Sequence, residues 1–247
     1  MPELKQDEFY IGYLPRAPRG LAKLLRRVVA ALLCGGVLVA LLLAFGQQRL
    51  PLSVFEFQQY RDYSGVIRAT PYPALLVQRE KALTQYLLVA PGKHRAEVAA
   101  FDGQTVKLRG ALIQRAGTLM LEILPGSLTA LSAATVTAPA STELGTFTLV
   151  GEIVDSKCYL GVMNPGHTKP HRECAVRCIS GGIPPLFIAR DAQGNELKLL
   201  LTDAQGAPVN QAVLEMVAEP IEISGRVVRE GAQLYFQADP LTYRRVH

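Results

Sequence analysis

Of the four cysteines in the 247-residue chain, three, Cys158, Cys174 and Cys178, share the stretch 155–185 with His167 and His171, two of the four histidines. Three chemistries suit that set. In an oxidising compartment two of the thiols can close a disulfide that staples a loop-rich segment, the third staying a buried thiol. Cys158 with Cys174 or with Cys178 is then the expected pair, because two cysteines on one helix face make a strained bridge. Alternatively Cys158, Cys174, Cys178 and His171, with His167 or Met163 as further donors, can bind a soft or borderline metal; thiolate and imidazole suit copper(I) or zinc. The third possibility is thiol–disulfide redox chemistry, which a lowered thiol pKa at Cys174 or Cys178 near Arg172, Arg177 or a helix N-terminus would assist. No thioredoxin-like βαβ pattern surrounds these residues.

Positioning them requires a short helix. The run HRECAVRC lies between Pro170 and the pair Gly181, Gly182. On a helix His171, Cys174 and Cys178 fall at i, i+3 and i+7 along one face. Cys158, at the end of a preceding strand, can close over that stripe.

The rest of the region after residue 50 reads as short apolar runs separated by turn residues. Examples are GVIRA, PALLVQR, QYLLVA and TVKLRGALIQR, with breakers at Pro91, Gly92 and at Asp102, Gly103. A degenerate repeat divides these runs in two. The segment from Glu97, EVAAFDGQTVKLRGALIQRAGTLMLEI, matches the one from Ala212, AVLEMVAEPIEISGRVVREGAQLYFQA, with Gly110 opposite Gly225; upstream, SGVIRA matches VGEIVD. A glycine inside an alternating strand marks a bend of the kind that turns the corner of a small barrel. A helical turn, then V-x-[LI]-x-G, then a hairpin is the pattern of the closing half of an OB-fold.

The expected fold is therefore mainly β: an N-terminal transmembrane helix followed by two small OB-like barrels. Its parts are a cytoplasmic tail 1–27, the helix 28–46, a first β domain 51–128, a linker 129–144 and a second β domain 145–247. Two small sandwiches of unrelated topology are the alternative. Gly65 and Gly110 are 45 residues apart but Gly151 and Gly225 are 74 apart, so the second unit carries an insertion, residues 155–185, directly after its first strand. The Cys/His set lies in that insertion.

The array Asp155, Cys158, Tyr159, Cys174, Ala175, Cys178, Gly182, Pro184 and Pro185 resembles a signature of uncharacterised exported bacterial β-barrel proteins of OB-like form, a group without an assigned activity. The resemblance covers roughly residues 148–200 and implies that the array acts as one unit. It leaves disulfide and metal both open, and the helix and first β unit lie outside it.

Residues 28–45 carry no charge over 18 positions, about 27 Å of helix, which the flanking leucines and arginines can extend to span a bilayer. Residues 1–27 hold six basic and three acidic side chains, so +3 of the chain's +5 lies there and the positive-inside rule keeps that end cytoplasmic. The remainder is then exported, to the periplasmic side of a bacterial inner membrane. A cleaved signal peptide is the competing reading, since residues 44–46 have the small-x-small form of a cleavage site. Gly36, Ala40 and Ala44 recur at four-residue intervals and could pack against another membrane helix. Cys34 reads as a small apolar residue of the helix. The aromatic and basic tail suits anionic lipid or a partner subunit.

With only +2 outside the tail, no basic groove for nucleic acid is expected. The chain has no G-x-S-x-G elbow, phosphate-binding G-x4-G-K-[ST] loop or H-E-x2-H helix, so an enzyme is the less expected class. The expected role is a membrane-anchored periplasmic accessory or interaction subunit, of the kind found in respiratory or other electron-transfer complexes, with the Cys/His cluster as staple or metal site. The alternative is a copper-binding or thiol-redox protein acting through that cluster.

Overall fold

A computed structural model describes residues 18–46, 52–79, 82–131, 139–191 and 193–246. Helix α1, Arg19–Gly46, is about 42 Å long and apolar enough to cross a membrane; none of its residues is buried. An anchor and a signal sequence share these properties. The helix starts on the N-terminal side of residue 28, taking in the basic residues Arg19, Lys23, Arg26 and Arg27. Gly36, Ala40 and Ala44 lie exposed along it. The tail before residue 18 lies outside the described residues.

The region after residue 50 is compact. In its first half, β1 (Ser53–Phe55), β2 (Arg61–Arg68), β3 (Ala74–Arg79), β4 (Ala82–Val89), β5 (Thr105–Arg115), β6 (Thr118–Ile123) and β7 (Thr129–Ala130) form one sheet. Strands β2, β3, β4, β6 and β5 close into a barrel: every pairing is antiparallel except β4 with β6, and β5 returns to β2. The second half repeats that order with β8 (Ser141–Asp155), β9 (Pro185–Arg190), β10 (Glu196–Thr202), β11 (Ile221–Glu230) and β12 (Gln233–Gln237), where β10 and β12 are the parallel pair and β11 returns to β8. The two-residue β13 (Arg244–Arg245) pairs with β11. This is the Greek-key order of an OB barrel, twice. A one-turn helix precedes the fourth barrel strand in each half, at Ala99–Phe101 and Leu214–Met216.

Each barrel needs a glycine where its first strand changes partners. Gly151 pairs with Ile221 of β11 and with Ala189 of β9, and a Cβ there would lie 2.2 Å from the Ile188 carbonyl oxygen. Gly65 stands at the same transition from β5 to β3, 2.4 Å from the Leu76 carbonyl oxygen by the same measure. The backbones meet too closely for any side chain.

Of the stretch 129–144 expected as a linker, Thr129–Ala130 adds to the first sheet and residues 141–144 already belong to β8. Residues 132–138 lie outside the described residues.

Each barrel has its own core, Leu75, Leu88 and Leu108 in the first and Phe187, Leu199 and Phe236 in the second. A third buried cluster joins them. Tyr72, Leu87, Ile113 and Met120 of the first barrel pack there against Val154, Leu186, Leu200 and Tyr235 of the second. Cys158, Tyr159, Leu160, Cys178 and Ile183 of the insertion complete this cluster. The Tyr72 hydroxyl donates to the Leu201 carbonyl at 2.5 Å, and Arg68 pairs with Glu230 at 2.6 Å, so polar contacts also cross the seam.

Candidate metal and thiol centre

The insertion leaves β8 at Asp155, whose fully buried side chain organises the next turn of the chain and the helix beyond it. One carboxylate oxygen accepts the Cys158 backbone N–H at 2.8 Å, holding a π-helical turn, Cys158–Val162, at the strand end. The other oxygen lies 3.0 Å from His171 Nε2. The chain then crosses the surface to a turn at Lys169–His171 and enters helix α2, Arg172–Ser180. The helix forms where Pro170 and the glycine pair frame it, and it places Cys174 and Cys178 on the face towards Cys158.

The resulting geometry brings three donors together. The Sγ atoms of Cys158 and Cys174 and an imidazole nitrogen of His171 all lie within 4.8 Å of one another; Asp155, Cys158 and Cys178 form a second such group. Cys158 Sγ and Cys174 Sγ are 4.0 Å apart. Two thiolates on one tetrahedral ion, with metal–sulfur bonds of ~2.3 Å, stand ~3.8 Å apart, whereas a disulfide requires ~2.05 Å. The cysteines are free thiols, and among the described residues no disulfide forms. The expected staple between Cys158 and Cys174 or Cys178 is thus absent; buried packing and ion pairs hold the insertion in place.

The donor set fits a thiophilic ion. Sulfur and imidazole are soft or borderline ligands, and the buried Asp155 carboxylate, 3.0 Å from His171 Nε2, orients the imidazole.

The first barrel completes the site with residues whose roles no local pattern marks. Lys93, in the Pro91–His94 turn after β4, places Nζ 2.8 Å from Cys174 Sγ and 3.6 Å from Cys178 Sγ. Its neighbour His94 is an exposed turn residue, as the sequence suggests. Gly181 at the end of α2 permits this approach, since a Cβ there would lie 1.9 Å from the Lys93 carbonyl oxygen. Lys157 has 3% of its side chain exposed and donates to the Ala90 carbonyl at 2.9 Å, the Gly92 carbonyl at 2.7 Å and Glu122 at 2.6 Å. Its three N–H groups meet three acceptors, all on the first barrel. Buried Arg115 donates to the Tyr159 carbonyl at 3.0 Å and stacks over its ring.

Electrostatics divide the thiols. The hydrogen bond between Cys158 and Cys178 lowers the Cys178 pKa, with help from Lys93, and raises that of Cys158, whose burial adds to the rise. Lys93 is raised, chiefly by its hydrogen bond to Cys174. Cys178 is therefore the more acidic thiol of the pair.

A cleft of ≈ 420 Å³ opens onto all three cysteines, walled by Phe55, Phe57, Tyr60, Val162 and Met163 with Lys93 and Lys157. Phe57 and Met163 are 60% and 46% exposed, so the cleft mouth is apolar. Met163 lines it without belonging to either donor group. His167 lies elsewhere: its ring meets Tyr159 edge-on, Nδ1 is 3.8 Å from Glu152, and it faces a separate cavity of ≈ 460 Å³. Burial lowers its pKa. Compared with known proteins, the chain matches no family model and no curated protein.

Proposed function

We propose that this chain is a membrane-anchored periplasmic protein that holds one thiophilic metal ion, copper(I) or zinc, through Cys158, Cys174 and His171, with Cys178 within reach, and that it serves membrane partners as an accessory subunit. The observation carrying this reading is the convergence of two thiols and an imidazole within 4.8 Å, with Asp155 3.0 Å from His171 Nε2. The basic segment before residue 28, the apolar helix and the exposed small-residue face of Gly36, Ala40 and Ala44 support the location and a helical partner in the membrane.

Elemental analysis with thiol counting on the full chain in mild detergent tests it. One metal per chain, lost in H171A and C174S, is the expected result. A metal-free protein after loading with copper(I) and with zinc overturns it. Recovery of partner subunits in the same mild detergent is expected, and recovery of the chain alone refutes the accessory role.

A second reading, thiol redox exchange, has one specific observation in its favour. Lys93 sits against two sulfurs at the floor of an open cleft, an arrangement that stabilises a nucleophilic thiolate.

A further inference from the structure

Lys93 has an unusual set of neighbours. Among the described residues it pairs with no carboxylate; its ammonium nitrogen faces Cys174 Sγ at 2.8 Å, with Cys178 Sγ next at 3.6 Å. The contact joins residues 81 apart in sequence and belonging to different barrels. It is held from several sides. Gly181 admits the Lys93 backbone against the end of α2, the Arg95 N–H donates to the Gly181 carbonyl at 3.1 Å, and the Lys157 ammonium grips the Ala90 and Gly92 carbonyls of the same turn. Amine and sulfur are thereby held at high effective concentration before any reaction. Their gap is too long for an S–N bond and suits one bridging atom. The Cys158 thiol, the rival nucleophile, is farther from Cys174 at 4.0 Å.

We infer that Lys93 and Cys174 form an oxidative modification site, a covalent Nζ–O–Sγ cross-link that ties the first barrel to the insertion. The oxidant is dioxygen. The Lys93 ammonium first releases one proton to solvent, and the neutral amine and the Cys174 thiol then react with one dioxygen: sulfur and nitrogen each give up two electrons, and one oxygen atom bridges them. The other oxygen leaves as water with the thiol hydrogen and one amine hydrogen, while the second amine hydrogen stays on nitrogen. Sulfenic acid is the first rung of cysteine oxidation, and a neighbouring nucleophile that captures sulfur early protects it from irreversible oxidation. The cross-link itself does not require a metal. Its consequence rests on the proposed metal reading: bridged Cys174 is withdrawn from the donor group, so oxidation ejects the ion.

Full-length protein, reduced and freed of metal without oxygen, is divided and one half exposed to dioxygen; both are digested and their peptides weighed. The expected product is a peptide pair joining Lys93 to Cys174, heavier by one oxygen and lighter by two hydrogens, released by thiol reductant. It is absent from K93R, which keeps the cation but lacks the amine, and from C174S. Finding oxidised Cys174 only in a disulfide or as sulfinic acid, with Lys93 unmodified, overturns the inference. Copper(I) titration of the unexposed half reads the metal site separately, so failure of either reading leaves the other visible.

Discussion

The two barrels share a strand order, a parallel closing pair and a glycine at the same partner change, yet they differ sharply between their first and second strands. In the first barrel residues 69–73 suffice to join β2 to β3; in the second, residues 156–184 separate β8 from β9 and carry the cysteines. One scaffold therefore serves twice, and the Cys/His group enters where one copy is opened. The first barrel is more than a spacer, however, because it supplies Lys93, Glu122, Arg115 and two backbone carbonyls to its neighbour's insertion. A loop on a rigid barrel is a common place for function; here a second barrel makes that loop rigid.

The strongest test of that dependence is Lys157→Met. It leaves the Glu122 carboxylate and two carbonyls buried without their partner and should cost about 4 kcal/mol in denaturant unfolding. Adding Glu122→Gln should restore part of the loss; equal stability of Lys157→Met and the parent would mean that the first barrel does not hold the insertion.

The equivalence of the two scaffolds is sharpened by a matched pair. Gly65→Ala and Gly151→Ala each force a Cβ onto a carbonyl oxygen and should each cost about 3 kcal/mol. A large loss for one and none for the other would mean that the barrels close differently.

Much of this duplication is legible in the chain. The runs GVIRA, PALLVQR, QYLLVA and TVKLRGALIQR fall on β2, β3, β4 and β5, and the match of Gly110 with Gly225 registers the fourth strands, because alternation and turn residues are local signals. The His171, Cys174, Cys178 stripe is legible for the same reason. Lys93, Lys157 and Arg115 are not. Each is an ordinary basic residue in its own segment and acquires its role only from packing between elements distant in sequence. A disulfide, natural to expect from three cysteines in a segment that reads as exported, does not form: Cys158 Sγ and Cys174 Sγ are 4.0 Å apart. His167 shares the insertion's composition but turns to the other side of Tyr159.

Smaller effects concern protonation. Cys178 should ionise below the ordinary thiol value, read as thiolate ultraviolet absorbance missing in C178S. Lys93→Met should move that titration upward, and an unchanged titration would remove the first barrel from the site's electrostatics. The least effect is expected at His167. Burial holds its folded pKa below the unfolded value of about 6.5, so the unfolded chain takes up the proton first. Its stabilising contribution is complete above that pH and is lost as pH falls towards the folded value. His167→Gln should flatten that part of the unfolding profile, and an identical profile would refute the assignment.

The metal reading stands on Cys158, Cys174 and His171 acting as one ligand set, and X-ray absorption at the metal edge of the copper(I)-loaded full chain probes that set without intermediaries. Sulfur and imidazole nitrogen are expected in the first coordination sphere, with the nitrogen contribution lost in H171A and a sulfur lost in C174S. A sphere of oxygen or of nitrogen without sulfur, or one unchanged by both substitutions, would contradict it.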